Sequence, residues 1–345
     1  MISQIVGSAA TVINRIGLPD AYAFARSILT KSQALVLEYH RVSRRTDNWS
    51  QETISPEAFQ RHIRHFYRNY DLLPLDELVQ YVRTRRRLGK PALAITFDDG
   101  YMDSYTCAYP ILAKYSVPTT IFLASGHVGT DKLFWWNKVG YVVGRTAAKR
   151  LELDEAGTYA VKLDSNRRQV ASKIVKRLAS LAEDRKNSLI EKLVSDCKVE
   201  IPDDVGRGLL LSWDDVREMS EKGIDFGAHS VTHPVLTNMS LDRAAWEIRQ
   251  SKEDIERRLG RKVKFFSYPM GYFNAGIVRI VQASGFEAAL TEHPSWIGRE
   301  TNIYVLDRMS APEEFDKLKV VMSGVLGDVR RILCRGPSVS KYVRR

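Results

Sequence analysis

The chain has 345 residues, of which 44% are hydrophobic and 27% are charged, and it carries a formal net charge of +11. This composition predicts one large α/β domain or two smaller ones and excludes a largely disordered chain, and no apolar run approaches the ~18 residues of a membrane span. Cys107, Cys197 and Cys334 are far apart, so they indicate neither a disulfide framework nor a cysteine-based zinc site and favour a reducing compartment.

Residues 1–32 are predicted to form an N-terminal amphipathic segment, because Ile2, Ile5, Val12 and Ile16 fall roughly on one side of a helix. The start lacks the positively charged region that precedes the apolar stretch of a secretory signal peptide. We therefore expect a cytoplasmic protein, and peripheral contact with the anionic inner membrane face is a further expectation.

Seven short apolar runs are predicted to be strands, and most are continuous instead of alternating, as is typical of strands buried on both faces. They span residues 34–39, 92–97, 119–124, 224–228, 263–268, 287–290 and 303–306. Helical patterns separate most of them, and one begins after Ser55 with Pro56 in its first turn. This alternation predicts a parallel α/β sheet, either open or closed into a barrel.

The alternation is interrupted after Trp135 by a stretch that is too long for one crossover. Residues 167–197 have helical periodicity and many charges. We therefore predict a helical insertion at about 136–208, packed on the barrel rim between the third and fourth strands. Trp135, Trp136 and Trp213 fit core or rim packing, with stacking on a sugar as the alternative.

Residues 316–345 are predicted to form a basic C-terminal helix or tail, with eight Lys or Arg against two Asp, which gives a net charge of +6. The tail has one aromatic residue, Tyr342, and no nucleic-acid-binding motif, so we expect no nucleic-acid partner. It is either solvated or attracted to an anionic membrane surface. The apolar residues of 317–334 share one helical side, which also fits a final barrel helix that covers the first strand.

Acidic and imidazole side chains follow two of the predicted buried strands. Asp98 and Asp99 end the second strand, and His229 and His233 follow the fourth. Burying two neighbouring carboxylates is costly unless a cation or a proton offsets their repulsion. One carboxylate and two imidazoles suit Zn²⁺ with a fourth position open for water. Helix capping by the carboxylates and purely structural histidines are the alternatives.

Further polar residues lie at the ends of other predicted strands. His40 follows the first strand, Tyr268 ends the fifth, and Arg308 follows the seventh. Active sites of parallel α/β folds lie at the carboxyl ends of the strands. We therefore expect these residues to meet the carboxylates and imidazoles at one face of the fold.

Three motifs of the chain resemble the polysaccharide deacetylase family, carbohydrate esterase family 4. They are Thr96-Phe97-Asp98-Asp99-Gly100, His229-Ser230-Val231-Thr232-His233 and Phe266-Ser267-Tyr268-Pro269-Met270-Gly271. The resemblance runs from about Leu37 to Met309. It implies a distorted (β/α)7 barrel and a metal-dependent hydrolase that removes the N-acetyl group from N-acetylglucosamine-type sugars.

The resemblance also assigns roles to residues of the second and fourth strand ends. Asp99, His229 and His233 would bind a divalent metal, with Zn²⁺ expected first and Co²⁺ or Ni²⁺ as alternatives. Asp98 would be the general base.

The catalytic acid has two candidates. Usual members supply it from a late Leu-x-x-His motif, which here would give His293 after Leu290. His40, in Leu37-Glu38-Tyr39-His40, instead resembles the acid of exopolysaccharide poly-N-acetylglucosamine deacetylases. We favour His40 and keep His293 as the alternative.

The remaining site residues are predicted from their positions. Arg308 would orient Asp98 or the substrate, with a plain salt bridge as the alternative, and the backbone N–H near Tyr101 would stabilise an oxyanion. The substrate-binding surface would include Tyr101, Tyr268, Pro269, Gly271 and Leu306. The expected substrate is an N-acetylated glycan or a lipid-linked sugar. Hydrolysis of another non-peptide amide and a non-catalytic glycan-binding role are the alternatives.

Overall fold

The computed structural model describes residues 32–44, 53–85, 90–162 and 164–324. The predicted segment 1–32, apart from its last residue, therefore lies outside the described residues. The same holds for residues 325–345 of the predicted C-terminal tail.

Thirteen strands and ten α-helices occur in the described ranges. The strands are β1 (Ser32–Tyr39), β2 (Arg41–Val42), β3 (Thr53–Ile54), β4 (Asp71–Leu72), β5 (Ala92–Phe97), β6 (Thr119–Leu123), β7 (Arg150–Leu153), β8 (Gly157–Ala160), β9 (Asp225–Ala228), β10 (Phe265–Ser267), β11 (Ala288–Leu290), β12 (Ile297–Gly298) and β13 (Met309–Ser310). The α-helices are α1 (Pro56–Asn69), α2 (Leu75–Thr84), α3 (Tyr109–Lys114), α4 (Trp135–Arg145), α5 (Asp164–Leu178), α6 (Glu183–Cys197), α7 (Trp213–Glu221), α8 (Leu241–Leu259), α9 (Ala275–Ala283) and α10 (Phe315–Ser323).

The main sheet has the strand order β11-β10-β9-β6-β5-β1, and every neighbouring pair in this run is parallel. The six strands are the first six that the sequence predicts, each with bounds within two residues of the prediction. The sheet curls, with helices packed on its outer face, and this confirms the predicted distorted (β/α)7 barrel.

The seventh predicted strand, 303–306, is reduced to a single parallel bridge between Leu306 and Leu290. The Asn302 side chain accepts a hydrogen bond from the backbone N–H of Tyr304, and such local bonds favour a turn over a sheet ladder. The chain extends again at β13, which pairs in parallel with β1. The segment 306–310 therefore joins the last strand to the first, and Arg308 lies in its middle.

Alternation along β1 and β5 separates two cores. Ala34 and Val36 of β1 belong to an apolar cluster inside the barrel, together with Phe122 and Phe265 from facing strands. Their odd-numbered neighbours in β1 pack outwards into the main core under the helices. Successive strand side chains point to opposite faces, so the inward column of β1 continues to Glu38, close to the carboxyl end of the sheet.

The insertion between β6 and β9 has a core of its own, built mainly from α4, α5 and α6. It also contains a hairpin, β7 with β8, that the sequence analysis did not predict. Each strand of this hairpin is only four residues long, so its alternating pattern is too short to stand out from the charged helical stretch beside it.

The first part of the predicted C-terminal helix packs on the barrel as α10. Leu318 and Met322 are buried in the main core, and the Met322 carbonyl accepts a hydrogen bond from Trp296 Nε1. Within the described ranges, no helix has both the length and the apolar character needed to cross a membrane.

Candidate metal and catalytic centre

Two sharp turns present the carboxylate and imidazole side chains at the end of the barrel. After β5 the chain turns through Asp99 and Gly100, which have φ angles of 74° and 77°. After β9, Ser230 and His233 have φ angles of 63° and 57°. Non-glycine residues in this left-handed region cost about 1 kcal/mol or more each. Such strain persists only where other contacts hold the turn.

The loop between the two histidines is held by Glu247 of α8. Its carboxylate accepts the backbone N–H groups of Val231 and Thr232 at 2.8 and 2.9 Å and the Thr232 hydroxyl at 2.6 Å. Glu247 is itself buried. The helix therefore fixes the backbone that spaces His229 from His233.

Asp99, His229 and His233 converge as the sequence predicts. Asp99 Oδ1 lies 3.3 Å from His233 Nε2 and 3.8 Å from His229 Nε2, and the two Nε2 atoms are 3.0 Å apart. All three side chains are buried, and their ligand atoms form a group that could hold a metal ion. This is the spacing expected for donors that share one cation.

The protonation of the histidines fits metal binding. His229 Nδ1 lies 2.8 Å from the Ser267 carbonyl oxygen, so Nδ1 carries the proton and the Nε2 lone pair faces the cluster. Burial lowers the pKa of His229 to about 4, and burial together with the neighbouring His229 lowers the pKa of His233 well below its usual value. Both rings are therefore neutral near pH 7, which is the form that binds a metal.

Asp98 is locked beside this cluster. Arg308 donates to its two carboxylate oxygens at 2.7 and 2.6 Å, and the Ser267 hydroxyl donates at 3.0 Å. Burial by itself would raise the pKa of Asp98, but the charge of Arg308 and its hydrogen bonds outweigh burial and hold the pKa well below its usual range. Asp98 is thus ionised, and its Oδ2 lies 3.6 Å from His229 Nε2.

Arg308 is fully buried and directs its remaining donors to the same end of the barrel. It donates to Thr96 Oγ1 at 3.1 Å and to the Thr291 carbonyl at 3.0 Å. Arg308 thus makes a bidentate contact with Asp98, and whether it orients Asp98 for catalysis or forms a plain salt bridge stays a prediction.

The two candidate acids lie in different surroundings. His40 Nε2 is 3.3 Å from Glu38 Oε1, and Glu38, His40 and Asp98 place their ligand atoms within 4.8 Å of one another. His293 Nδ1 instead lies 3.5 Å from Asp307 Oδ2. The His40 side chain is 21% exposed, so it is both next to Asp98 and accessible from outside.

Tyr101 connects the site to the insertion. Its hydroxyl donates to Asn137 Oδ1 at 3.1 Å and accepts from Trp136 Nε1 at 3.2 Å. The Trp136 ring in turn packs against His233, with ring centroids 4.4 Å apart. The insertion therefore forms an aromatic wall behind one of the imidazoles.

The other predicted substrate-binding residues are buried. The Tyr268 ring packs against Phe266 and Phe273 in the main core, and Leu306 lies in the apolar cluster inside the barrel. Pro269 is buried, and Gly271 has a φ angle of 68° with no room for a Cβ beside Glu292. A role for these four residues in binding an acetyl group stays a prediction.

A cavity of about 540 Å³ opens at the rim near His40. Its lining includes Arg41, Ser43, Met102 and Asp103, and Arg41 Nε donates to Asp103 at 2.7 Å. None of the carboxylate and imidazole groups of the central cluster lines it.

Sequence reasoning gave no role to Glu38, Thr96, Ser267 or Glu247. Glu38, Thr96 and Ser267 are polar residues inside otherwise apolar strands, and a buried polar residue is a usable signal. Glu247 lies on the buried face of α8 with Ala244 and Ile248, but it does not stand out in sequence among the many other charged residues of this helix.

Comparison with known families identifies the protein class. The polysaccharide deacetylase model matches residues 85–289, which is more than half of the chain. The chain belongs to the polysaccharide deacetylase family. Members of this family are amide hydrolases, so the predicted enzyme class is confirmed.

Individual relatives are distant. The Bacillus subtilis protein YxkH is 20% identical over 275 residues, which cover 79% of this chain and 70% of the relative. A poly-β-1,6-N-acetyl-D-glucosamine N-deacetylase of Staphylococcus aureus is 32% identical over 118 residues, which cover 29% of this chain and 39% of that protein.

Solved structures share the fold. The deacetylase PplD of Streptococcus pyogenes superposes with a TM-score of 0.57 at 17% identity, covering 84% of this chain and 97% of that one. IcaB from Ammonifex degensii gives 0.55 at 18% identity, covering 85% of this chain and 97% of the other.

Proposed function

We propose that the protein is a metal-dependent deacetylase that hydrolyses the N-acetyl group of an N-acetylated amino sugar in a polysaccharide or a lipid-linked precursor. The observation that carries this proposal is the convergence of Asp99, His229 and His233 with an ionised Asp98 beside them. The family supports amide hydrolysis, and the name of the S. aureus relative suggests the sugar.

The chain would bind the metal through Asp99 and the two imidazole Nε2 atoms. A donor set of one carboxylate and two neutral histidines suits Zn²⁺, and Co²⁺ or Ni²⁺ are alternatives. A divalent cation bound there lowers the pKa of a bound water and polarises the amide carbonyl.

Asp98 is assigned the role of general base. Because Arg308 holds both carboxylate oxygens, Asp98 is ionised and keeps one orientation next to the metal ligands. It takes a proton as the water oxygen bonds to the acetyl carbonyl carbon. Arg308 is then a positioning residue for Asp98. The backbone N–H near Tyr101 is assigned to the oxyanion that forms.

His40 is assigned the role of general acid. When the C–N bond breaks, the sugar nitrogen must receive a proton, and a histidine suits this task near neutral pH. His40 gives up its proton to that nitrogen, so the products are a free amine and acetic acid, which loses its remaining proton to solvent and leaves as acetate. The proton held by Asp98 then returns to His40 through solvent, which restores both groups.

Acetate release tests this function. We expect the wild type to release acetate from N-acetylglucosamine oligomers or a lipid-linked N-acetylated sugar, to lose activity on chelation and to regain it with Zn²⁺. Asp98→Asn should slow release by about 10²- to 10⁴-fold, whereas the exposed control Asp203→Asn should match the wild type. Equal release by wild type and Asp98→Asn would show that this site is not the catalytic one.

A further inference from the structure

Glu38 is a buried carboxylate inside the barrel with no role in the mechanism above. The inward positions of β1 before it, Ala34 and Val36, are apolar and pack in the interior cluster. Glu38 follows them and its side chain is fully buried. A carboxylate at such a place costs free energy unless nearby groups compensate for its lost hydration.

The charge of Arg308 does not by itself compensate for the burial of the Glu38 carboxylate. Arg308 already makes its two shortest ionic contacts, at 2.6 and 2.7 Å, with Asp98. Its distance to Glu38 Oε2 is 3.7 Å. One guanidinium therefore faces two carboxylates, and a second positive or proton-bearing partner is needed to balance them.

His40 supplies that partner. Glu38 Oε1 lies 3.3 Å from His40 Nε2, closer than Glu38 lies to Arg308. The same group of atoms could in principle attract a metal ion. Because His40 can itself carry a proton, it supplies the balancing charge, and no second metal ion is required there.

We propose that Glu38 is a positioning residue for His40. Its carboxylate lies at ion-pair distance from His40 Nε2, fixes the ring beside Asp98 and balances its charge when the ring carries a proton. The proposal rests on the proposed function, since it requires His40 to be the acid. The bond changes are those already given: the C–N bond breaks and the His40 proton moves to nitrogen, while Glu38 gains and loses no proton.

A double-mutant cycle tests the proposal. Glu38→Gln keeps the shape of the side chain and should lower kcat about 10-fold or more, with KM changed less than about 2-fold. Zn²⁺ affinity, measured by calorimetry, should stay at the wild-type value. In a His40→Ala background, Glu38→Gln should change kcat less than about 2-fold, because its effect passes through His40. Glu183→Gln, which removes a buried carboxylate from the insertion, is the control and should leave kcat unchanged.

The possible failures are distinguishable. If the effects of Glu38→Gln and His40→Ala multiply, Glu38 acts independently of His40 and the inference is wrong. If His40→Ala retains wild-type turnover, the acid assignment falls and this inference falls with it. If Asp98→Asn is as active as the wild type, the proposed function itself is wrong.

Glu38→Asp provides a second variant that keeps the charge near Arg308 but withdraws it from His40 by one methylene. Glu38→Asp should also lower kcat when His40 is present and change it little in the His40→Ala background. An effect that persists in full in the His40→Ala background would overturn the proposal even if Glu38→Gln did not fold.

Discussion

At one side of the site, the Asp98 side chain is held by an ion pair inside the barrel. At the other side, the loop that carries the two histidines is held by hydrogen bonds to a helix. Arg308 reaches Asp98 from the segment that closes the barrel, between Leu306 and β13. Glu247 reaches the histidine loop from α8 on the outside. The carboxylate side therefore depends on barrel closure, and the imidazole side depends on the packing of one helix.

The largest expected effect comes from breaking the carboxylate side. Arg308→Met keeps most of the side-chain volume but leaves Asp98 and Glu38 buried without their guanidinium. Removing one partner of a buried ion pair costs about 3–5 kcal/mol in unfolding free energy. Urea unfolding in the presence of a chelator measures this cost without a contribution from bound metal.

The matched control for this variant is Arg243→Met. Arg243 pairs with Asp184 at 2.8 Å on the surface, and such pairs contribute about 1 kcal/mol or less. If Arg308→Met were no less stable than Arg243→Met, buried charge would not be what holds the carboxylate side.

A second test concerns His62, which packs against Tyr39 at the end of β1. Burial lowers the pKa of His62 to about 4, from an ordinary value of 6.5. The unfolded chain therefore binds more protons between these two pH values, and stability falls as the pH drops from about 6.5 to about 4. The loss is on the order of 3 kcal/mol.

Urea unfolding at pH 7 and pH 4.5 checks this prediction with His62→Gln, which cannot take up a proton. The variant should lose less stability than the wild type over this interval. The half-buried His65 lies one turn away on α1, and His65→Gln should alter the wild-type dependence much less than His62→Gln does. Identical slopes for wild type and His62→Gln would contradict the prediction.

The smallest expected change in stability comes from loosening the imidazole side. Glu247→Gln replaces the acceptor of three hydrogen bonds by a weaker one, which should cost about 1–3 kcal/mol of stability. Metal affinity should fall about 10- to 100-fold, as for other residues that orient metal ligands. Calorimetric titration with Zn²⁺ measures that affinity.

Glu256→Gln on the same helix is the control for this variant. Its carboxylate accepts the backbone N–H of Val263 at 2.9 Å, in a different loop from the histidines. Unchanged Zn²⁺ affinity in Glu247→Gln would show that the histidine loop holds its shape without this contact.

The sequence was most informative where one strand carries both its own burial pattern and a chemical motif. β5 is an apolar run that ends in Asp98 and Asp99, so both the strand and its function could be read locally. His229 and His233 lie four positions apart after β9, and the structure brings them to Asp99 as the sequence predicts.

The sequence was least informative where a contact depends on barrel closure. Arg308 and Asp98 are 210 positions apart, and no local sequence pattern predicts which carboxylate pairs with the guanidinium. Glu247 acts from a helix whose surface is full of similar charges. The seventh predicted strand was lost for a local reason instead, because the Asn302 turn outweighs the apolar run that predicted the strand.

The most direct test of the account is anomalous diffraction at the zinc edge from crystals of the Zn²⁺-loaded protein. The account predicts one strong peak about 2.0–2.2 Å from a carboxylate oxygen of Asp99 and from Nε2 of both His229 and His233. That peak should persist in Asp98→Asn and disappear in Asp99→Ala. A peak bound by other residues, or no peak beside these three, would contradict the assignment of this cluster as the metal site.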